Sequence, residues 1–464
     1  MPATALTAGT TLELFIDSLA TGGQAIARRE GMVIFVDRGL PGQTVLATIT
    51  RTKKRFAEAT LERVITRNNT EIQPFCKHFG ICGGCHWQHL PYEEQLEWKR
   101  RFAEDSMRRI AGADGASALP TIPSPDQRMY RNKMEFAFLQ GRDTIHLGLR
   151  RSASHSIINI TECHLQSEHS VAIVQTVRQW ANRHKLLNAY DARSGKGYLR
   201  FLVVRETKYS NQCMVQLITT PDWSPTGQRE ELVRELAAEL REHSDIPTSA
   251  VHSVRSSKTQ VAYGEDTIFI EGAPTLSETI SIDKHNLTIN IGGADSFFQT
   301  NTKAAEALYG KALQLAALTG KETVWDLYCG IGALSLASAM NASRVVGFEI
   351  SEAAVSTARQ NAEQLSLPNT SFHAGDVRLT MALESVLPDV LITDPPRGGM
   401  HPDVVAAIDQ HGPERIVYIS CDPATQARDI GLLIDKYAVC EIQPVDMFPH
   451  TPHVENIVLL KKRS

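Results

Sequence analysis

No apolar run in the 464-residue chain approaches the length of a membrane span, so no membrane partner is expected. The opening residues, Met1-Pro-Ala-Thr-Ala, lack the basic flank and apolar core of a secretory leader, which leaves the cytoplasm as the expected compartment. Cysteine is scarce. Eight in a chain of this length do not make a disulfide scaffold, and clustered cysteines in a reducing compartment read as metal ligands or catalytic groups. Internal repeats and low-complexity tracts are missing, which excludes a repeat architecture. A large net charge is missing as well, since the balance is −4. Its distribution is uneven, however. Residues 99–151 carry eleven Lys/Arg against six Asp/Glu, and residues 286–464 carry thirteen against twenty. A basic accessory half and an acidic enzymatic half follow from that asymmetry. The length exceeds one ordinary core and predicts two or three domains.

Residues 11–64 hold short strand-like runs such as Leu12-Glu-Leu-Phe-Ile and Met32-Val-Ile-Phe-Val, punctuated by Gly22-Gly23 and Pro41-Gly42. Four or five strands in so few residues predict a small OB-type barrel over residues 1–66. Its connection Arg51-Thr-Lys-Lys-Arg55, followed by Phe56, combines cations with a ring, as RNA binding requires. Next come Cys76, Cys82 and Cys85 in a glycine-bearing loop, with Cys163 as the fourth candidate ligand. Four thiolates suit an iron–sulfur cluster or a structural zinc, and in the zinc case His78, His86 or His89 could replace a cysteine. The C-x5-C-x2-C spacing departs from paired zinc knuckles and favours the cluster. Helical spacing from Tyr92 to Gly112 and strand-like runs between 121 and 270 predict an α+β central domain over residues 67–280.

From about Ser281 the pattern becomes alternating strand and helix, predicting an α/β, Rossmann-like domain over residues 281–464. Thr323-Val-Trp-Asp326-Leu-Tyr-Cys-Gly330-Ile-Gly332 reads as a strand entering a glycine turn, and Glu349 ends the next strand, where a carboxylate can take ribose hydroxyls. The turn lacks the third glycine that pyrophosphate binding uses. A nucleoside without phosphate is expected, and so S-adenosylmethionine over NAD. Asp376, near the end of a third strand, is placed for an adenine-level contact, and Asp394-Pro-Pro-Arg397 holds a carboxylate rigidly enough to meet a base edge.

Cys421 ends the fifth strand, Ile416-Val-Tyr-Ile-Ser, before Asp422-Pro423 starts a helix. Amino methylation has no use for a thiol there, whereas methylation at C5 of a pyrimidine does. C5 of uracil cannot attack a methyl sulfonium until a thiolate adds at C6 and turns the ring into an enolate. A base must then remove the C5 proton. Glu455, immediately before a last apolar strand, is the candidate, with His450 and His453 next.

Gly330-Ile-Gly332, Asp394-Pro-Pro-Arg397, Ser420-Cys421-Asp-Pro and His453-Val-Glu455 together resemble the RNA uracil-5-methyltransferase family. The four cysteines and the TRAM-like barrel are similar to its 23S ribosomal RNA branch. The resemblance implies a nucleophile at Cys421, a general base at Glu455 and a [4Fe–4S] cluster on Cys76, Cys82, Cys85 and Cys163. It places Gln299, Tyr328, Gly330, Gly332, Glu349, Asp376 and Asp394 at the cofactor. Phe297, Gln299, Asp394 and Arg397 fall at the substrate, with Phe297 able to stack on a flipped base. Ala333 and Asp376 depart from residues that some related enzymes carry. A monomer acting on 23S rRNA is expected. The alternatives are a tRNA enzyme of the same chemistry and a non-catalytic RNA-binding or assembly factor, for which Cys421 and Glu455 would have no use.

Overall fold

The computed structural model describes residues 6–463 apart from 153, 155, 222–226, 243–245 and 247; the opening stretch 1–5 lies outside them. Alternation of apolar and polar residues forms the first five strands, β1 (Thr11–Leu19), β2 (Ala25–Arg29), β3 (Met32–Val36), β4 (Thr44–Thr52) and β5 (Phe56–Thr66). They close into a barrel in the order β1-β2-β3-β5-β4, with Leu12, Leu14 and Ile16 turned inward. β2, short and half polar, was not individually legible in the sequence. The cationic connection is a tight turn at Lys53–Arg55, and Phe56 lies within β5, edge-on to Phe35 at 5.7 Å. The turn β1–β2 needs glycine: Gly23 has φ +88, and a Cβ there would sit 2.8 Å from Pro452 near the other end of the chain.

After the cysteine loop, α1 (Tyr92–Arg109) acts as a strap. Phe102 packs with Trp87 and Leu90 into the barrel core, while Ala103 and Met107 enter the core under the carboxyl-terminal sheet. Lys99, on the same helix, is fully buried and meets Asp446 at 2.5 Å. The central sheet comprises β6 (Lys133–Gln140), β7 (Ile145–Arg150), β8 (Ile157–Asn159), β9 (Leu199–Glu206), β10 (Cys213–Thr219), β11 (Thr248–Val254) and β12 (Asp266–Glu271). Their order is β12-β11-β10-β9-β6-β7-β8, with α2 (Glu168–Arg183) and α3 (Gln228–Glu242) packed on one apolar face. The hairpin β13 (Leu276–Ile282) and β14 (His285–Gly292) shares a core with the carboxyl-terminal domain, so the expected boundary at 280/281 falls inside β13.

The last domain begins with α4 (Thr302–Ala316), capped by the Asn301 side chain accepting from the Ala304 N–H. It continues through β15 (Thr323–Leu327), α5 (Ala333–Ala339), β16 (Arg344–Glu349), α6 (Glu352–Gln364), β17 (Thr370–Ala374), α7 (Val377–Thr380), β18 (Val390–Thr393), α8 (Pro402–His411), β19 (Arg415–Ser420), α9 (Pro423–Gly431), β20 (Tyr437–Val445) and β21 (Glu455–Lys462). The sheet order is β17-β16-β15-β18-β19-β21-β20. The first five are parallel; β15, β16, β18 and β19 are largely apolar and buried, as strands covered on both faces must be, while the edge strand β17 is half polar, and β21 runs antiparallel to β19. Strand order reverses between β15 and β18, which opens a crevice at the carboxyl edge.

Replacing Lys99 by Met leaves the Asp446 carboxylate buried beside an apolar chain. That change is expected to cost about 3–5 kcal/mol in a denaturant titration, and adding Asp446→Asn should recover a large part. A cost below about 1 kcal/mol would show that the pair does not hold the strap.

Candidate active site at the carboxyl edge of the last sheet

Parallel register lines up the strand ends. Leu327 pairs with both Phe348 and Thr393, so Tyr328, Glu349 and Asp394 leave the sheet side by side. Ser420 pairs with Asn456 across the antiparallel β19–β21 ladder. The same register carried one residue further brings Cys421, just past the end of β19, opposite Glu455, whose charge acts on the thiol. Gln426 in α9 clamps this end, donating to the carbonyls of Tyr418 at 2.7 Å and Asn456 at 3.0 Å. Asp422 accepts from the Ala424 and Thr425 N–H groups, and Pro423 begins the helix as the sequence indicates.

The electrostatics are those of crowded, buried acids. Burial raises the Glu455 carboxyl well above the usual range, and the Asp394 charge pushes it the same way. Asp394 is raised by burial and by Asp326. Asp326, 2% exposed, accepts from Ser335 of α5 yet is pushed up to about 7 by its burial. The Cys421 thiol is pushed up to about 12, first by burial and then by Glu455 and Asp394, with Arg397 opposing. Arg397 is largely exposed and lies 3.8 Å from Asp422. Only a cationic guest relieves such a set.

Around the glycine turn, Tyr328 holds a left-handed φ of +64, and Gly332, at φ +86, opens α5. The Glu349 carboxylate accepts from the N–H of Gly330 at 3.1 Å and of Ser351 at 2.9 Å. Asp376 caps α7 and is ion-paired with Arg378, which holds its carboxyl down to about 2. Gln299 is buried beside α4 and hydrogen-bonds the side chain of Tyr309, while Phe297 is 70% exposed. Two residues passed unnoticed in the sequence. Tyr309 is buried within the field of Asp394, Asp326 and Glu455, and Ile350 stands 72% exposed between the strand-end acids. A tyrosine in an alanine-rich helix reads as core filler, and nothing in the pattern marks it otherwise.

His450 is unavailable as a base. It is buried, its carbonyl accepts from the His86 and Trp87 N–H groups, and its Nε2 lies 3.0 Å from the Gln127 carbonyl. His453 stays beside the site, with its ring against Phe448.

Cys76, Cys82, Cys85 and Cys163 line one cavity with Phe79, Leu149 and Ile160. Burial pushes the Cys85 thiol up to about 12, and the charges of the other three add to that. His86 and His89 do not line the cavity; His78 does, and its Nε2 is taken by Thr161. Among the described residues, the group whose ligand atoms crowd within 4.8 Å is instead His169, Glu206 and Cys213.

Residues 91–463 match the family model described as tRNA (Uracil-5-)-methyltransferase, and residues 5–61 match the TRAM domain. This chain belongs to that methyltransferase family. It is 47% identical to an uncharacterized RNA methyltransferase of Nitratidesulfovibrio vulgaris, over 98% of this chain and 97% of the other. It is 37% identical to one of Bacteroides thetaiotaomicron, over 96% and 100%. Among solved structures, the Pyrococcus abyssi tRNA (uracil-54, C5)-methyltransferase with S-adenosyl-L-homocysteine superimposes with a TM-score of 0.75 at 27% identity, covering 97% of this chain and 100% of the other. The α/β domain is thus an S-adenosylmethionine-dependent RNA methyltransferase domain, preceded by a TRAM barrel. No described helix is long and apolar enough to cross a membrane.

The raised carboxyls bind more protons folded than unfolded between about pH 4 and pH 7, so their contribution to stability falls as pH rises through that window. Histidines lowered by burial, among them His450 and His453, act in the opposite sense at the low end of that window, so the readout is a difference between proteins: from pH 5 to pH 8 the thermal midpoint of ligand-free Asp394→Asn should rise relative to that of the wild type. An identical slope in the variant would remove Asp394 from the buried acid set.

Proposed function

We propose that the chain methylates C5 of a specific uridine in RNA, with Cys421 as nucleophile and Glu455 as general base. The observation that carries this reading is the β19–β21 register, which opposes a thiol and a carboxyl at the mouth of the cofactor crevice. S-adenosylmethionine supplies the methyl group, held by Tyr328, the Gly330–Gly332 turn and Glu349, with Gln299, Asp376 and Asp394 around it. Its positive charge suits the acidic edge. The thiolate of Cys421 forms a bond to C6, and the electron pair of the C5–C6 double bond passes to the C4 carbonyl as an enolate. As the C4 carbonyl re-forms, C5 would attack the methyl carbon, whose bond to the sulfonium breaks and leaves its electron pair on the sulfur of S-adenosylhomocysteine. Glu455 removes the C5 proton, the double bond re-forms, and the sulfur leaves with its electrons. In this reading the exposed Phe297 stacks on the flipped base, Asp394 accepts from its edge, and Arg397 holds the adjoining phosphate.

Cys421→Ala is expected to lose all turnover and all covalent adduct. Glu455→Gln should attack and accept the methyl group, then stall as a denaturation-stable protein–RNA species that gel shift and mass spectrometry detect. Substantial activity in Cys421→Ala would overturn the nucleophile.

The preferred target is a uridine of 23S rRNA, supported by the resemblance of the barrel and cysteine set to that branch. The likeness to the Pyrococcus abyssi tRNA enzyme favours tRNA as the second reading. Mapping 5-methyluridine in both RNAs, with and without the gene, separates the two. For the cysteine cavity we infer a [4Fe–4S] cluster on Cys76, Cys82, Cys85 and Cys163. The four thiols line one cavity, and that shared lining supports the reading. Anaerobically purified protein should be brown with roughly four irons per chain. Stoichiometric zinc without visible absorbance would sink this assignment.

A further inference from the structure

A second concave surface lies far from the carboxyl edge. A cavity of about 610 Å³ is lined by Tyr190, Lys196, Thr220, Arg229, Ser256 and Lys258, among others. These residues flank one end of the central sheet, following β10 at Thr219 and β11 at Val254 and preceding β9 at Leu199. The opposite end of β9 faces the catalytic half, where Arg205 donates to the carbonyls of Ile291 and Ser296. Seven steps of strand at about 3.3 Å each set the two ends roughly 23 Å apart.

The chemistry of the lining is that of a phosphate and a base. The described lining residues include three cations and no carboxylate. Among the described residues, three neighbouring acids are engaged elsewhere. Asp191 accepts from the Arg193 N–H and the Ser194 hydroxyl, Glu265 from the N–H groups of Ser256 and Ser257, and Glu230 pairs with Arg234 at 2.9 Å. Beneath them the Arg200 guanidinium, 2% exposed, donates to the carbonyls of Arg255 and Ser257 at 2.7 Å and of Thr259 at 2.8 Å. It also packs on the Tyr190 ring at 4.3 Å. One buried cation therefore fixes both the loop that carries Lys258 and the ring, and the site is preorganised.

We propose that this cavity is a distal docking site for the RNA substrate, taking a backbone phosphate on Lys196 and Lys258 and an adjoining base against Tyr190. It rests on the reading of the chain as an enzyme that acts on RNA. Phosphates on the far side of the substrate anchor it while the target uridine occupies the carboxyl edge, so the enzyme measures substrate length as well as local sequence.

The test compares the full-length wild type with Lys196→Ala/Lys258→Ala, both side chains being exposed. Two RNAs are used, a heptamer centred on the target uridine and a fragment of about 30 nucleotides. At about 3.4 Å per stacked nucleotide the heptamer reaches only about 10 Å to either side, short of the cavity, and the longer fragment reaches it. For the long RNA, the slope of log affinity against log salt should shrink by about 1.4–2 in the double variant, as two lost phosphate contacts require. The heptamer should bind both proteins alike. An unchanged slope on the long RNA overturns the proposal, as do equal losses on both RNAs. If uridine monophosphate protects Lys196 and Lys258 from acylation in the wild type while that slope is unchanged, the cavity serves a free nucleotide and the proposal fails. Absence of any salt-dependent RNA binding by the wild type would overturn the RNA reading itself.

Discussion

The candidate site depends on one antiparallel ladder. β19 arrives from the nucleotide-binding half of the sheet and β21 from the end of the chain, and only their register makes neighbours of Cys421 and Glu455. A slip of one residue would turn the carboxyl to the other face of the sheet, since side chains alternate along a strand. Gln426 guards against the slip. It is buried, it bonds the carbonyls of both strands, and its own oxygen accepts from Asn456 at 2.7 Å. Asn456 adjoins Glu455, so the helix that follows the nucleophile also fixes the proposed base.

Around that ladder the fold gathers ionisable groups with few of the charges they need. Burial raises Asp326, Asp394 and Glu455, the charge of Asp326 adds to Asp394 and that of Asp394 to Glu455, and Cys421 is raised by the last two. The four cysteines of the amino-terminal cavity form a second set of the same kind. Both are poor resting places for negative charge and good receptors for a positive guest. A sulfonium in one and iron in the other are the guests proposed. A cation bound at either set favours the ionised acids or thiolates, and ligand binding is thereby linked to proton release.

Much of this was legible in the sequence because the informative signals are local. Apolar strands ending in Asp326, Glu349, Asp394 and Cys421 announce a parallel sheet and its carboxyl edge, and the glycines announce the turn between β15 and α5. The central domain was legible only as a class. β11 and α2 were not singled out by the pattern, and which strands pair is decided by distant partners. Tyr309 and the pair Lys99–Asp446 were invisible for the same reason. A lysine among the glutamates of an amphipathic helix has the pattern of a solvated face, and only tertiary packing turns it inward. His450 shows the converse. Its sequence position fits a base, but hydrogen bonds from the cysteine loop commit it to structure.

The strap helix has a consequence for synthesis. Lys99 and Asp446 lie 347 residues apart, and at about 5–20 residues per second the second is made roughly 17–70 s after the first. Throughout that interval the emerging chain carries, beside the barrel, a helix whose Lys99 lacks the carboxylate that neutralises it and whose Met107 and Ala103 wait for a sheet that begins at Thr323. Pro452 then closes against Gly23 of the barrel's first turn. Until the β20–β21 connection has been made, the first turn of the barrel and the amine of Lys99 both lack the partners that cover them in the folded chain.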